Sequence, residues 1–369
     1  MSEPIRVLHV FGRLDSGGAE SRTMDIYRKI DRTKIQFDFA IHTENKGFFT
    51  DEIKALGGKI YSFPRFNGKN YFQYKKSWQQ FFKQYPDYRI IHGHQTTTGF
   101  IYLKAAKENG VPVRIAHARN SNKENVIKKH ICKLSKKYAT HLFAVSKLAG
   151  ISEFGMEAIN AGSVKILPNA IDAEKYSFNP EVRKKKRQEL GIKDEMLIIH
   201  IGRFHPQKNH AFLLNIFKEI KIVKPDAKLL LVGDGPLKKR IENKIPGKNL
   251  AGAVILAGTR SDVPELLQAA DVLLFPSLFE GLPGVVLEAQ AAGLPCIISD
   301  TITDEVKVTD FVEYVSLNED AIFWSGRVLH QNLHHERAGV FNEVLKAGYD
   351  ITQVTGWYEE FYASCRNYL

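Results

Sequence analysis

The most constraining feature of this sequence is an alternation that runs twice. Short apolar runs alternate with longer amphipathic stretches up to Val145, and the same pattern restarts beyond Asn169. In the first pass the periodicity predicts strands at 5–11, 36–42, 59–63, 90–92, 113–116 and 141–145. Helices are predicted between them at 19–29, 49–56, 75–84 and 99–108. In the second pass strands are predicted at 197–201, 228–232, 253–256, 272–275 and 296–299, with helices at 211–221, 235–243, 263–269 and 283–292. Strands that alternate with helices pair in parallel and are covered on both faces. The expectation is an α/β protein of two doubly wound domains facing across a cleft, residues 1–172 and 173–349. A last helix, 350–369, is expected to join the first domain. In such sheets ligands sit at the carboxyl ends of the strands, so the loops there are where chemistry is sought.

Composition narrows the class. With 44% hydrophobic and 25% charged residues the chain is that of a folded protein. No apolar run reaches the ~18 residues of a membrane span, and the N-terminus reads as a strand, so a cytoplasmic location is expected. The three cysteines, Cys132, Cys296 and Cys365, have no C-x-x-C spacing, which argues against disulfide frameworks and zinc fingers. The net charge of +11 is one-sided: residues 1–172 hold 28 Lys and Arg against 15 Asp and Glu. The densest part, 122–138, spaces Ile127, Ile131 and Leu134 along one helix face, with Lys128, Lys129, Lys133, Lys136 and Lys137 on the rest. Such a helix suits either open solvent or the anionic inner face of a plasma membrane. Nucleic acid is not expected, because no nucleic-acid-binding motif accompanies the charge. A second basic run, 183–187, reads as a solvated helix face.

Three loops carry the chemistry. Gly17-Gly18 precedes a helix, so the backbone there can approach an anion or polar group closely. It fits neither a dinucleotide fingerprint nor a Walker loop. In HIGRFHPQKNH (200–210), Arg203 and Lys208 leave a strand end on one loop. Two fixed cations five residues apart suit a diphosphate, one as a planar fork and the other as a point charge. Gly-Asp-Gly-Pro (233–236) marks a strand-to-helix turn. The third loop lies in SLFEGLPGVVLEAQAAGLP (277–295), where Glu280 and Glu288 stand eight apart around Gly-Leu-Pro-Gly. Glu280 lies in the loop and Glu288 on the following helix, where an acid can accept from ribose hydroxyls. The backbone of Gly281 and Leu282 can face a ligand.

The histidines divide. His92-x-His94 ends a strand and suggests a metal pair, but no third ligand is identifiable, and lining of an acceptor side is the preferred reading. His117 follows a strand into the same region. His205 and His210 read as structural, and His334 and His335 as solvated. The aromatic stripe Tyr71, Phe72, Tyr74, Trp78, Phe81 and Phe82 reads as core packing, or with the nearby lysines as a membrane-facing entrance.

In this order and spacing, Arg203 and Lys208, Glu280-x7-Glu288, Gly17-Gly18 and the LPNAID stretch at 167–172 resemble the retaining glycosyltransferases of family 4, of GT-B architecture. RIAHARNSN (114–122) and SDTITDEV (299–306) are similar to the exopolysaccharide and capsule branch. The resemblance implies two Rossmann-like domains and transfer from a nucleotide sugar, a UDP-sugar by family frequency, to a glycan or lipid-linked glycan. It implies that Arg203 and Lys208 hold the donor diphosphate, Glu288 the ribose, and Glu280, Gly281 and Leu282 the sugar. It also implies that Gly17 and Gly18 admit phosphate and acceptor, that His117 lies beside the sugar, and that the loop with Thr259 and Arg260 receives the base. His92, His94 and Arg119 would face the acceptor. Ala170 stands where the family more often has Gly. The chain contains no Asp-x-Asp, so fixed cations rather than a metal are expected to neutralise the leaving group, with no cofactor. Retention comes from the resemblance alone. The alternatives are a nucleotide-sugar epimerase or phosphorylase of the same architecture, and a non-catalytic binder of sugar nucleotides or polysaccharide.

Overall fold

The computed structural model describes residues 3–15, 17–119, 131, 134–331, 337 and 339–368. Most of the basic segment 122–138, the end of the 114–122 stretch, Cys132, His334 and His335 lie outside the described residues. The chain divides into two compact units, Met1–Asn169 with Ile351–Leu369, and Ala170–Asp350.

The first unit is built on seven parallel strands: β1 Ile5–Val10, β2 Ile35–Ile41, β3 Ile60–Ser62, β4 Ile90–Gly93, β5 Val113–Ala118, β6 His141–Ala144 and β7 Val164–Ile166. Their order is β3-β2-β1-β4-β5-β6-β7. The second unit has six: β8 Leu197–Ile201, β9 Lys228–Val232, β10 Val254–Gly258, β11 Val272–Phe275, β12 Cys296–Ser299 and β13 Val312–Val315. Their order is β10-β9-β8-β11-β12-β13. In each sheet the order reverses once, between β1 and β4 and between β8 and β11. There the loops after the two strands turn to opposite sides and leave a crevice. The edge strands β7 and β13, and the helices Lys147–Phe154, Met156–Asn160, Ala321–Leu329 and Phe341–Lys346, were not legible as periodic runs. Each is under three turns long or only three or four residues wide, which leaves periodicity little to act on.

The helix Ile351–Ser364 belongs to the first unit. Ile351, Val354, Thr355, Tyr358 and Tyr362 recur at spacings of three and four and are buried. Tyr362 meets Phe37 of β2 edge-on, while Phe361 and Trp357 meet Phe143 of β6. The Asp31 N–H donates to Glu359 at 2.7 Å. The aromatic stripe is mostly core: Tyr74, Trp78, Phe81 and Phe82 are buried on the helix Tyr71–Gln84, and Trp78 stacks on Phe63 at 3.8 Å. Tyr71 is half-buried and Phe72 is 84% exposed.

The basic run 183–187 is not simply a solvated face. Lys184 and Lys185 are exposed, but Arg183 and Arg187 turn inward from the helix Pro180–Glu189. Arg183 donates to the carbonyls of Gln268, Ala269 and Ala270, Arg187 to that of Ala269, and both pair with Asp271. Arg337 adds donors to Leu267, Ala270 and Ala292. The helix Val263–Ala269 ends here, and its last carbonyls have no partner within the helix. Guanidinium groups supply the missing donors, an arrangement set by partners some 80 residues away and invisible to local reading.

Asp38 plays the corresponding part in the first unit. Its carboxylate is fully buried on β2 and accepts from Arg6 Nε and Nη2 at 2.6 Å, from Tyr88 at 2.5 Å and from the Lys59 N–H at 2.7 Å. Truncating one partner of a buried charge pair leaves the other uncompensated. Asp38→Ala is therefore expected to cost about 3 kcal/mol of unfolding free energy, read in urea titration. An unchanged midpoint would show that the network carries no stability.

Candidate functional site

In the second unit the site residues follow the two strands at the order reversal. The loop after β8 carries Gly202, Arg203 and Lys208, and the loop after β11 carries Glu280. The loops are tied together: Leu278 N–H donates to Gln207 O at 2.8 Å, and Gln207 Nε2 to Phe279 O at 2.9 Å. Lys208 Nζ stands 2.7 Å from Glu280 Oε1 and 4.4 Å from the centre of the Phe275 ring. Both side chains are largely buried. A Cβ on Gly202 would come within 2.9 Å of the Lys208 side chain. Arg203 is exposed and has no acidic partner among the described residues. Gly233 and Gly235, at φ 135° and 154°, bring the next loop against this one. A Cβ on Gly233 would run into the Gly202 carbonyl. The Gly-Asp-Gly-Pro run is thus a close-approach turn.

Pro283 caps the helix Gly284–Ala291, on which Glu288 lies in the second turn, 5% exposed. That helix is buried on nearly every side, with Gln290 bonded to the backbone at Val306, Val308 and Thr309. Gly281 and Leu282 are buried in the turn before it. Thr259 and Arg260 are exposed beyond β10, and Arg260 is held by Asp262 at 2.6 Å. Lys208 and Glu280 are therefore in direct contact, while Arg260 is engaged by its own neighbour. His205 accepts from the Gln207 N–H at 3.4 Å, and His210 stacks on Phe204 at 4.2 Å.

In the first unit four histidines meet at the order reversal. β1 pairs β4 in a register that sets His9 beside His92, and β5 brings His117 alongside. His9 Nδ1 lies 2.9 Å from His94 Nε2, and His92 Nε2 lies 2.9 Å from His117 Nδ1. Arg119 Nε donates to His94 Nδ1 at 3.1 Å, and its Nη1 to Asn169 Oδ1 at 3.0 Å. Tyr362 of the last helix is 2.7 Å from His92 Nδ1. A cavity of about 10 Å³ beside His9, His92, His94 and Arg119 has room for about one water. Gly17 caps the helix Gly18–Lys29 nearby in sequence, and a Cβ on it would strike the Glu20 carboxylate.

His9 is the residue that sequence reasoning missed. It supplies the third nitrogen that His92 and His94 lacked, the three lying within 4.8 Å of one another. The missing information was strand register. The arrangement is nonetheless a hydrogen-bond network before it is a ligand set. Both nitrogens of His92 and of His94 and Nδ1 of His9 are engaged, and the neighbouring group is a guanidinium.

Burial, and after it neighbouring positive charge, holds His9, His92, His94 and His117 well below the usual histidine range. His42, on Tyr74 at 2.7 Å, is pushed down to about 4, mainly by burial. An unfolded chain, with histidines near 6.5, binds more protons than the folded one below that pH. Stability should thus be full above about pH 7 and fall as pH drops through ~6.5, each histidine contributing up to ~1.4 kcal/mol per pH unit. Urea midpoints measured from pH 8 to pH 5 check this. A midpoint flat to pH 5 would mean that these rings are not neutral and buried together.

Comparison with known proteins bears on both units. A family model described as glycosyl transferases group 1 matches residues 182–319. The putative glycosyltransferase EpsF of Bacillus subtilis (strain 168) is 36% identical over 363 residues, 95% of this chain and 94% of that protein. An Escherichia coli protein, UDP-Gal:alpha-D-GlcNAc-diphosphoundecaprenol alpha-1,3-galactosyltransferase, is 34% identical over 229 residues, 58% of each chain. Among solved structures, Anabaena Alr3699/HepE in complex with UDP and glucose superposes with a TM-score of 0.79 at 18% identity, over 98% of this chain and 100% of that one. That likeness gives the fold, the GT-B pairing of two parallel-sheet units. Two order-reversal sites on such sheets, with a full-length relative above one-third identity, identify the chain as a member of the group 1 glycosyltransferases.

Proposed function

We propose that this glycosyltransferase moves a sugar from a nucleotide-sugar donor, a UDP-sugar first among them, to a lipid-linked glycan or growing polysaccharide, with retention and without a metal. The observation that carries this reading is the Lys208–Glu280 pair with Arg203 beside it on the same loop. Departure of a nucleoside diphosphate needs positive charge preorganised where negative charge develops. Arg203 and Lys208 provide two fixed cations, and the chain has no Asp-x-Asp to hold a divalent ion in their place. Glu280 keeps Lys208 in place until the diphosphate arrives. The phosphate then takes over the ammonium group, and the carboxylate turns to the sugar's hydroxyls. Glu288 receives the ribose, Thr259 and Arg260 the base, and Gly281 and Leu282 line the sugar. To the first unit, with His117, His92, His94, Arg119 and the Gly17-Gly18 loop, we assign the acceptor side.

In the transfer step the bond from the anomeric carbon to the phosphate oxygen breaks. A bond to the acceptor oxygen forms on the same face, and the acceptor's proton passes to the leaving phosphate. No protein nucleophile is required. A relative named for UDP-Gal and a diphosphoundecaprenol acceptor, and a like-folded structure holding UDP and glucose, support the choice of donor and acceptor class. The basic balance of residues 1–172 suits an acceptor at an anionic membrane. So does Phe72, outward among the exposed Arg65, Lys69 and Lys76. Among the described residues no helix is long and apolar enough to cross a membrane.

Calorimetry with UDP, GDP, ADP and their sugars, with and without EDTA, tests the donor site. One nucleotide should bind selectively and be indifferent to EDTA. Arg203→Ala and Lys208→Ala should each lower kcat/KM by about 10²–10³. Binding by no nucleotide, or turnover abolished by EDTA, would overturn the reading. Co-sedimentation with vesicles rich in anionic lipid should fall for Phe72→Asp while UDP binding is unchanged; equal co-sedimentation would remove the membrane from the proposal.

A further inference from the structure

Lys208 is held at three places along its side chain. Its stem passes so close to Gly202 that an added Cβ there would stand 2.9 Å from Cε, 3.0 Å from Cδ and 3.2 Å from Cγ. Its ammonium group meets Glu280 Oε1 at 2.7 Å, the one hydrogen-bond acceptor recorded for it among the described residues. The third hold has no polar atom. Nζ sits over the face of Phe275, 4.4 Å from the ring centre. The face of an aromatic ring is negative, so it attracts a cation at that distance, and more strongly where water is excluded. Lys208 is largely buried and Phe275 fully so.

The ring is placed by the sheet itself. Phe275 is the last residue of β11 and pairs with Ile298 of β12. The His200 ring of β8 stacks against it at 5.5 Å, and His200 Nδ1 donates at 2.9 Å to the carbonyl of the preceding residue, Leu274. Lys208, by contrast, stands on the loop after β8. A side chain from a loop thus rests its charge on a ring fixed by strand pairing.

The two holds on the ammonium group differ in kind. The Glu280 carboxylate takes a proton of the ammonium group through a lone pair, and an arriving phosphate oxygen competes with it for that bond. The ring attracts the charge as a whole and offers no lone pair to displace. Glu280 can therefore let go while the ring keeps its hold.

We propose that Phe275 is a positioning residue, whose ring face seats the Lys208 ammonium group both before a donor diphosphate binds and after Glu280 has released it. The inference rests on the reading of Lys208 as part of the diphosphate clamp. It adds to that clamp an apolar residue at a strand end, where sequence alone shows only core. A lysine ordered in advance is engaged at less cost, because an unseated side chain loses its rotamer freedom when the ligand arrives. With the face weakened, the carboxylate becomes the main hold, and the ammonium group must be drawn from it and ordered in the same step.

The test uses the full-length chain, with UDP, GDP and ADP as probes read by calorimetry. Replacing Phe275 by a trifluorinated phenylalanine keeps the shape and apolar character of the ring and removes most of the negative charge of its face. Affinity for the nucleotide that the parent chain selects should fall about fivefold, the cost of ordering one long side chain. In a Lys208→Met chain the same ring replacement should leave affinity unchanged, because no charge remains for the face to attract. An equal loss in the Lys208→Met chain would show that the ring acts by packing, and overturns the proposal. A second measurement needs no variant. In a crystal structure of the nucleotide complex, Nζ should remain over the Phe275 ring with its bond to Glu280 opened; an ammonium group that has left the ring overturns the seat. A parent chain that binds none of the three nucleotides overturns the clamp and this inference with it. A parent that binds one, weakened by Lys208→Met but indifferent to ring fluorination, overturns the seat alone.

Discussion

Parallel strand pairing is the constraint on which the rest of this molecule depends. A parallel sheet cannot be closed by hairpins, so every strand is followed by a crossover, and the loops at its carboxyl end collect on one edge. Where the order reverses, neighbouring loops part. In the second unit this places the cationic loop after β8 against the glutamate loop after β11, so that Lys208 and Glu280 meet across 72 positions of sequence. In the first unit the same reversal sets β1 against β4, and the register pairs His9 with His92. Neither meeting is encoded by local sequence. Both follow from one topological rule applied twice.

The two units handle buried polarity differently. In the second, charge is met by charge or by carbonyl dipoles: Lys208 by Glu280, and Arg183, Arg187 and Arg337 by Asp271 and the end of one helix. Removing such a cation leaves orphaned acceptors, which is why these side chains are integral to the packing rather than decoration on a solvated surface. In the first unit the cluster at the reversal is kept neutral instead. Four imidazoles bond to one another and to a phenol, with a single guanidinium at the margin.

Much of this was legible beforehand. Buried parallel strands such as Leu197–Ile201 and Val272–Phe275 are continuous apolar runs bounded by turn residues, and they were located to the residue. Boundaries slipped where the first turn of a helix is polar or aromatic, as at Tyr71, four residues ahead of the predicted start. The loops with Arg203, Lys208, Glu280 and Glu288 stand out in the sequence because their residue types are chemically unusual at strand ends, and the structure brings Lys208 and Glu280 into contact. The inward turn of Arg183 and Arg187 is not legible in the sequence, because local charge density does not report long-range partners. His9 is not legible as part of a cluster, because a lone histidine inside an apolar strand looks like packing until its neighbour in register is also a histidine.

By itself, then, the sequence determined the two-fold α/β alternation, the asymmetry of charge and the identity of the cationic and acidic loops. These depend on periodicity, composition and spacing, which are local properties of a chain. Tertiary structure alone decided strand order and register, the contact of Lys208 with Glu280, the four-histidine network and the place of Tyr362 behind it. These depend on which distant segments pair, and that choice is made by the burial of whole strand and helix faces, summed over many residues at once.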